Sequence, residues 1–189
     1  MEQKAMVFEK GNDLFSKISW CVKALDGSDD YINSVFQYLY AKNNRIYASD
    51  RARLHSCLLA IPDGLYQVVA NTKKITLVPF TSDYLTVDYP EVESISQDFF
   101  TKAKDLKEIS IPYWRDLEIA YALAIRELNE NYYVNFAHFR DLLGLKQMGS
   151  MKVLPEGPII YFTEESSKDQ FGFDCFGFLM PTKIMPNKI

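Results

Sequence analysis

The sequence predicts an α+β protein whose helices pack on antiparallel sheets, in two unequal helix-plus-strands units. Three observations carry that expectation. Apolar residues recur at helical spacing in segments starting near residues 12, 111 and 135. Between and after them, runs rich in aromatic and β-branched residues are punctuated by Asn- and Gly-bearing turns. Aromatic side chains make up 14% of the 189 residues, chiefly Phe and Tyr, which suits half-buried pleated surfaces. The order is helix, strands, helices, strands. It divides a single domain into a first unit over 1–107, with its connection, and a second over 108–189.

Asn12 to Leu25 reads as a helix, with Leu14, Phe15, Ile18, Val22 and Leu25 on one stripe. Asn12 serves as its cap and Gly27 lies just past its end. Ser16, Trp20 and Lys23 fall on or near the opposite face. Tyr31 to Ala41 and Arg45 to Ala60 flank Asn43-Asn44, a pair that tolerates positive φ, and form a hairpin signature. Gly64 to Ala70 and Ile75 to Phe80 form a second hairpin around Asn71 to Lys74. Pro79 predicts that this last strand lies at an edge or ends there.

Ser82 to Lys107 reads as an acidic connection with a short helix near Gln97 to Lys104. Ile111 to Asn129 gives the strongest helical stripe, through Trp114, Leu117, Tyr121, Ala124, Ile125 and Leu128, with Ser110 and Pro112 as start chemistry. A further helix runs from Asn135, its cap, to Leu145, with Gly144 near its end. Strands follow at Lys152 to Leu154, Pro158 to Thr163 and Phe171 to Met180, with a polar turn through Lys168.

Hydrophobic residues form 48% of the chain, enough for a substantial core. The net charge of −4 disfavours a protein held to nucleic acid by its overall charge, though a local basic face is compatible with it. Cys21, Cys57 and Cys175 are three widely spaced thiols and imply no disulfide framework. Met1 to Lys10 lacks an apolar signal core, and no stretch approaches the ~20 apolar residues that cross a bilayer. The expectation is a cytoplasmic protein with no membrane partner.

Four segments together carry a resemblance. Ala48-Ser49-Asp50-Arg51-Ala52-Arg53-Leu54 is similar to an Ala-Thr-Asp-Gly-His-Arg-Leu strand and turn, and Tyr89-Pro90-Glu91-Val92 to a Phe-Pro-Asp-Tyr segment. Asn135, Asp141 and Leu143 hold the spacing of a capped helix, and Leu179-Met180-Pro181-Thr182-Lys183-Ile184 resembles a terminal Val-Met-Pro-Met-Arg-Leu. All four resemble, in this order, segments of the bacterial DNA polymerase III beta sliding clamp family. The resemblance covers residues 12–92 and 130–185 and implies a DNA-clamp-like fold for a shortened or divergent member. Arg51 and Ala52 replace the family's Gly and His, so a turn of different shape is expected there.

Family members form rings of six clamp-type domains whose helices line a hole threaded by duplex DNA. Such binding is topological and reads no sequence, needing only basic groups near the phosphates. Lys17, Lys23, Arg140 and Lys146 are the candidates; the same residues also fit solvated helix charges. Partner proteins of replication and repair insert a short peptide containing Gln and Leu or Phe into a family pocket. That pocket carries over to Ser49, Arg51, Ala52, Arg53, Leu54, Met180, Pro181, Lys183 and Ile184. The alternative is a surface Arg53 and a core Met180 with no pocket. Should the two segments sit at opposite ends of the chain, they meet only through head-to-tail contacts between copies.

Two functions follow from the resemblance. One is a clamp-like replication or repair accessory that self-associates and encircles or docks on DNA. The other is a degenerate clamp domain, as from a mobile element, that binds another protein without DNA. Gln97-Asp98-Phe99-Phe100 reads either as a clamp-binding peptide within the chain or as a pair of core anchors.

Enzyme chemistry finds little support. His55 and Cys57 share one face of a strand near Asp50, but alternate residues of one strand do not usually hydrogen-bond to each other, and a structural histidine fits better. Gly144 to Ser150 has the outline of a phosphate loop without its Lys and follows a helix instead of preceding one. No Cys or His pair has metal-ligand spacing, Glu164-Glu165 sit in a polar turn, and no cofactor is expected.

Overall fold

The computed structural model describes residues 4–27, 35–80, 89–111, 117–145, 149–163 and 170–184. These form two compact units, Met1–Val92 and Glu93–Ile189. Pro112, Trp114, Lys146, Glu164, Glu165 and the turn through Lys168 lie outside the described residues. Helices and antiparallel strands occur in both units, giving the expected α+β class. Among the described residues, no helix is long and apolar enough to cross a membrane.

The first unit contains β1 (Met6–Glu9), α1 (Asp13–Cys21), β2 (Leu39–Lys42), β3 (Arg45–Ser49), β4 (Arg53–Leu58), β5 (Gly64–Ala70) and β6 (Lys74–Phe80). Its strands lie in the order β1-β6-β5-β2-β3-β4, each pair antiparallel. The Asn12 carboxamide oxygen accepts from the Leu14 N–H at 2.9 Å and so fixes the start of α1. The α-helix stops at Cys21 and tightens into a 3-10 turn at Val22–Ala24, shorter than the stripe to Leu25 predicts.

Trp20, expected on the outer face, is 2% exposed. Its ring stacks on His55 with centroids 4.3 Å apart and planes 9° from parallel, because α1 packs against β4 as well as β6. Asn43 and Asn44 both take positive φ, at 52° and 61°, and join β2 to β3 as a two-residue hairpin. Asn71 closes the β5–β6 turn by accepting from the Lys73 and Lys74 N–H groups at 2.8 and 2.9 Å.

Two strand expectations change. Arg45 to Ala60 is not one strand: a turn at Asp50–Ala52 splits it, and β3 and β4 pair with Ser49 opposite Leu54. The strand containing Pro79 ends there, at Phe80, as the expectation allows, but it does not lie at an edge, since β6 lies between β1 and β5. Its pairing with β1 ends at Leu77, so the missing N–H of Pro79 falls beyond β1. The edge belongs to β1, a four-residue strand with no strong sequence signal.

The second unit contains α2 (Val92–Lys102), β7 (Ile109–Ile111), α3 (Leu117–Glu127), β8 (Tyr132–Tyr133), α4 (Phe136–Leu142), β9 (Gly149–Val153), β10 (Ile159–Thr163), β11 (Cys175–Leu179) and β12 (Thr182–Lys183). Strands β11-β10-β9-β7 are sequential antiparallel neighbours, and β12 pairs with β8 in a separate ribbon. Ile111, expected to begin the long helix, ends a strand instead, because Ile109–Ile111 pairs with Met151–Gly149. The helix near Gln97 to Lys104 begins earlier, at Val92.

Phe100 on α2 lies 5.1–6.3 Å from the rings of Phe162, Phe171, Phe173, Phe176 and Phe178, and Phe99 meets Phe178 edge-on at 5.2 Å. The Phe pair of Gln97–Phe100 therefore anchors the unit. Gly149 is a strand residue in close approach: a Cβ there would lie 2.6 Å from the Tyr161 ring and 2.8 Å from the Phe162 carbonyl oxygen.

Candidate functional site

The Ser49–Leu54 segment is a turn locked by its own side chains. The Asp50 carboxylate accepts from the Ala52 N–H at 3.0 Å and the Arg53 N–H at 2.9 Å through one oxygen. Its other oxygen accepts from Arg53 Nε at 2.8 Å, in an ion pair whose side chains are only 10% and 15% exposed. Ser49 Oγ donates to the Arg53 carbonyl at 2.8 Å and accepts from the Arg51 N–H at 3.1 Å. Leu54 is buried below. Arg53 is thus a turn-holding residue, not the surface side chain that the alternative reading expects.

Arg51 has φ 73°, in the left-handed region that a glycine enters at no steric cost. The exposed Arg51 places its guanidinium 5.0 Å above the Phe36 ring centroid. Phe36 tilts against Tyr89 at 5.8 Å, and Tyr89 stacks on Tyr40 at 4.7 Å. The Tyr89-Pro90 segment is therefore joined to the turn through an aromatic relay. Nothing in the sequence marks Phe36 for this place, because the contact crosses 15 positions of chain. Burial pushes the Tyr89 phenol up, and its hydroxyl finds no hydrogen-bond partner among the described residues.

The other carried-over segment lies in the second unit. Met180 is 41% exposed, so it is not the core residue of the alternative reading. It lines a cleft of about 430 Å³ with Phe99, Leu106, Leu154 and Pro158, and Lys102 stands at the same cleft. Half-buried Pro181 follows. Thr182 and Lys183 pair with Tyr133 and Tyr132, and the Ile184 N–H donates to the Asn131 carbonyl at 2.7 Å. Ile184 is 48% exposed beside a ribbon that also exposes Tyr133.

Of the proposed DNA-facing residues, Lys17 is half-buried on α1, and Lys23 is exposed on the 3-10 turn after it. Arg140 is exposed in the last turn of α4, whose cap Asn135 accepts from Ala137 and His138 at 2.9 and 3.3 Å. Lys146 lies outside the described residues.

His55 and Cys57 are both fully buried. His55 Nδ1 lies 2.9 Å from the Trp20 carbonyl oxygen, which can only accept, so this nitrogen carries the proton. The Cys21 thiol donates to the His55 carbonyl at 3.3 Å. This arrangement holds α1 to β4.

No protein-family profile matches the chain, and no curated protein matches it in sequence. Solved structures do share its fold. One is the DNA polymerase III beta subunit of Borrelia burgdorferi, in complex with a natural product: TM-score 0.55, 10% identity, 98% of this chain covered. A second is a putative beta subunit from Eubacterium rectale, with TM-score 0.55, 8% identity and 96% coverage. The chain spans 65% and 66% of those two proteins' lengths, just under two thirds. The Helicobacter pylori beta clamp bound to a DNA ligase peptide is also similar, at TM-score 0.51 and 10% identity, with 97% of this chain and 67% of that one covered.

Proposed function

We propose, from the premise that this chain has the fold of bacterial DNA polymerase III beta clamps, that it is a self-associating clamp-like accessory of DNA replication or repair. The division into two compact units, each with helices and antiparallel strands, carries the reading. If each unit does the work of one clamp-type domain, three copies joined head to tail supply the six that a ring needs. Such a ring holds duplex DNA by topology, with Lys17, Lys23 and Arg140 meeting phosphates without reading bases. Across each head-to-tail contact, the Ser49–Leu54 turn of one copy and the Met180–Ile184 segment of the next take a partner peptide, a role supported by the ligase peptide on the Helicobacter pylori clamp.

The test is retention on DNA. The full chain, mixed with a nicked circular duplex, should co-elute with it in gel filtration at moderate salt. Linearising the same DNA should release the protein, because a ring slides off free ends. Equal retention on both forms would point to simple surface binding and remove encirclement.

One observation favours a second reading, a peptide-docking module that leaves DNA alone. The described α-helices and the 3-10 turn after α1 carry Asp13, Glu93, Asp98, Glu118, Glu127 and Asp141 against Lys17, Lys23, Lys102, Arg126 and Arg140. A hole lined by them would be slightly acidic toward phosphate. Failure to co-elute with either DNA form, with peptide capture intact, selects this module.

A further inference from the structure

We infer that the outer edge of β1 takes an extended, acidic segment of a partner protein as an added antiparallel strand. This surface lies wholly in the first unit and uses neither the Ser49–Leu54 turn nor the Met180 cleft.

The backbone of β1 offers the bonds. β1 ends the strand order and pairs only with β6, from Met6 opposite Leu77 to Glu9 opposite Lys74. The Lys10 N–H donates to the Lys73 carbonyl at 2.8 Å. Bonded and non-bonded positions alternate along an antiparallel pair, so Phe8 and Met6 also turn their backbone groups toward β6. The far side of β6 fixes the same parity. There the Asn71 N–H donates to the Lys74 carbonyl at 2.9 Å, which aims Lys74 and Thr76 at β5 and leaves Ile75 and Leu77 for β1. Val7 and Glu9 therefore point their backbone groups away from the sheet. The Asn12 N–H takes the Glu9 carbonyl at 3.3 Å. What remains is the Val7 N–H, the Val7 carbonyl and the Glu9 N–H, aligned on an exposed edge ready to continue the ladder.

Charge selects the ligand. Lys4 and Lys10 stand exposed just beyond the two ends of β1, and the Lys10–Lys73 bond brings exposed Lys73 and Lys74 to the Lys10 end. Among the described residues, none of these lysines is in an ion pair. Glu9, across from Lys74, and Asp13, in the first turn of α1, are the carboxylates closest to them in the chain. Lysines on an edge repel basic strands and deter neutral ones, but they attract a strand that brings carboxylates. The Val7 side chain, 55% exposed, lies in a cross-strand row with Thr76 and exposed Val69 and gives the incoming strand an apolar neighbour. Antiparallel addition sets the N-terminal end of the new strand beside Lys10, Lys73 and Lys74, because β1 ends there. The matching segment therefore begins with Asp or Glu and continues with β-branched residues opposite Val7. A phosphodiester chain could meet the lysines, but it brings no donor for the Val7 carbonyl.

Two capped, labelled peptides of one composition test this, Asp-Glu-Asp-Val-Thr-Val-Thr and Val-Thr-Val-Thr-Asp-Glu-Asp, titrated with the full chain by fluorescence anisotropy. The first should bind about tenfold more tightly, the scale of one or two charge-assisted contacts. Lys73→Glu with Lys74→Glu should erase that preference, and both positions are exposed, so the fold should survive. Val7→Pro removes an N–H that faces outward, where an edge strand tolerates proline, and should weaken the first peptide about tenfold with little change in melting. Amide exchange gives a readout that charge attraction alone would not move: Val7 and Glu9 should slow when the first peptide binds. Equal binding of the two peptides, or exchange at Val7 and Glu9 unchanged by a bound peptide, overturns strand addition. Slowing at Val7 and Glu9 with rising protein concentration alone would overturn the partner segment in favour of a second copy of this chain. Duplex DNA that competes the peptide away without itself slowing those amides would assign the lysines to phosphate and likewise overturn it.

Discussion

The two units solve the problem of a core differently. In the first, polar groups are taken inside: Arg45, Ser49, His55 and Ser56 are buried beside Trp20, Tyr47 and Tyr66. Arg45 donates to Ser56 Oγ at 3.2 Å, and His55 is bonded to the Trp20 carbonyl while stacked on the Trp20 ring. In the second, the buried polar residues among those described are the hydroxyl-bearing Ser96, Ser150 and Thr163. Much of the interior is a phenylalanine cluster around Phe100. Directional bonds fix the first unit in one arrangement and make it sensitive to loss of a single partner. Packing fixes the second, where the sensitivity is to lost volume. The carried-over turn, built from hydrogen bonds, belongs to the first kind; the Met180–Ile184 segment, half-exposed beside an apolar cleft, belongs to the second.

The largest effect should strike both units alike and so bound the comparison. Each has a phenol whose ionisation burial opposes, Tyr89 in the first and Tyr161 in the second. A raised folded-state pKa means the folded chain binds the proton more tightly than the unfolded chain. The stability this gives is fully present below the unfolded value of about 10 and is lost as pH rises beyond it through the folded value. Alkaline titration should therefore show the tyrosinate absorbance of these two only together with loss of circular dichroism. Their ionisation with the fold intact would contradict the burial.

Next comes the aromatic cluster. Phe100→Ala should cost about 2–3 kcal/mol in urea unfolding, because half-buried Phe100 gives up its packing against five other rings. A loss near 1 kcal/mol would mean that α2 is not an anchor. In the first unit, His55→Leu should cost roughly 2 kcal/mol, since it leaves the Trp20 carbonyl without this donor inside an apolar shell. Were His55→Leu neutral, the polar interior would be incidental. Asp50→Ala removes the acceptor of three donors at a half-buried turn and should cost about 1–2 kcal/mol. It should also reduce peptide capture, which separates it from a purely global destabilisation. Arg51→Gly has the smallest expected effect on stability, a gain of roughly 0–1 kcal/mol from relieved strain offset by backbone entropy.

What could be read in the sequence was mostly local chemistry. Asn12, Asn43-Asn44, Asn71 and Asn135 each act within a few residues of themselves, and the structure places each in the cap or turn its side chain favours. The α+β class followed from the same signals. The misreadings came where distant chain decides. Trp20 shares the outer face of α1 with Ser16 and Lys23 in a helical projection, but β4 and β6 pack against α1 from positions more than 30 residues away. Ile111 carries the start of a helical stripe and becomes the end of a strand because Gly149–Met151 is there to pair with Ile109–Ile111. The turn residues Ser49 to Leu54 were visible through their resemblance to a clamp segment. The partner that gives Arg51 its direction, Phe36, was not, because an aromatic residue in a 3-10 turn carries no sign of which side chain it will meet.

The ring proposal stands most directly on the mass of the protein in solution. Light scattering across a wide range of protein and salt concentrations should give three times the 21.9 kDa of one chain, unchanged by dilution until the ring opens. A mass of 21.9 kDa at every concentration would contradict ring formation and leave a lone clamp-fold chain whose turn and cleft serve another protein.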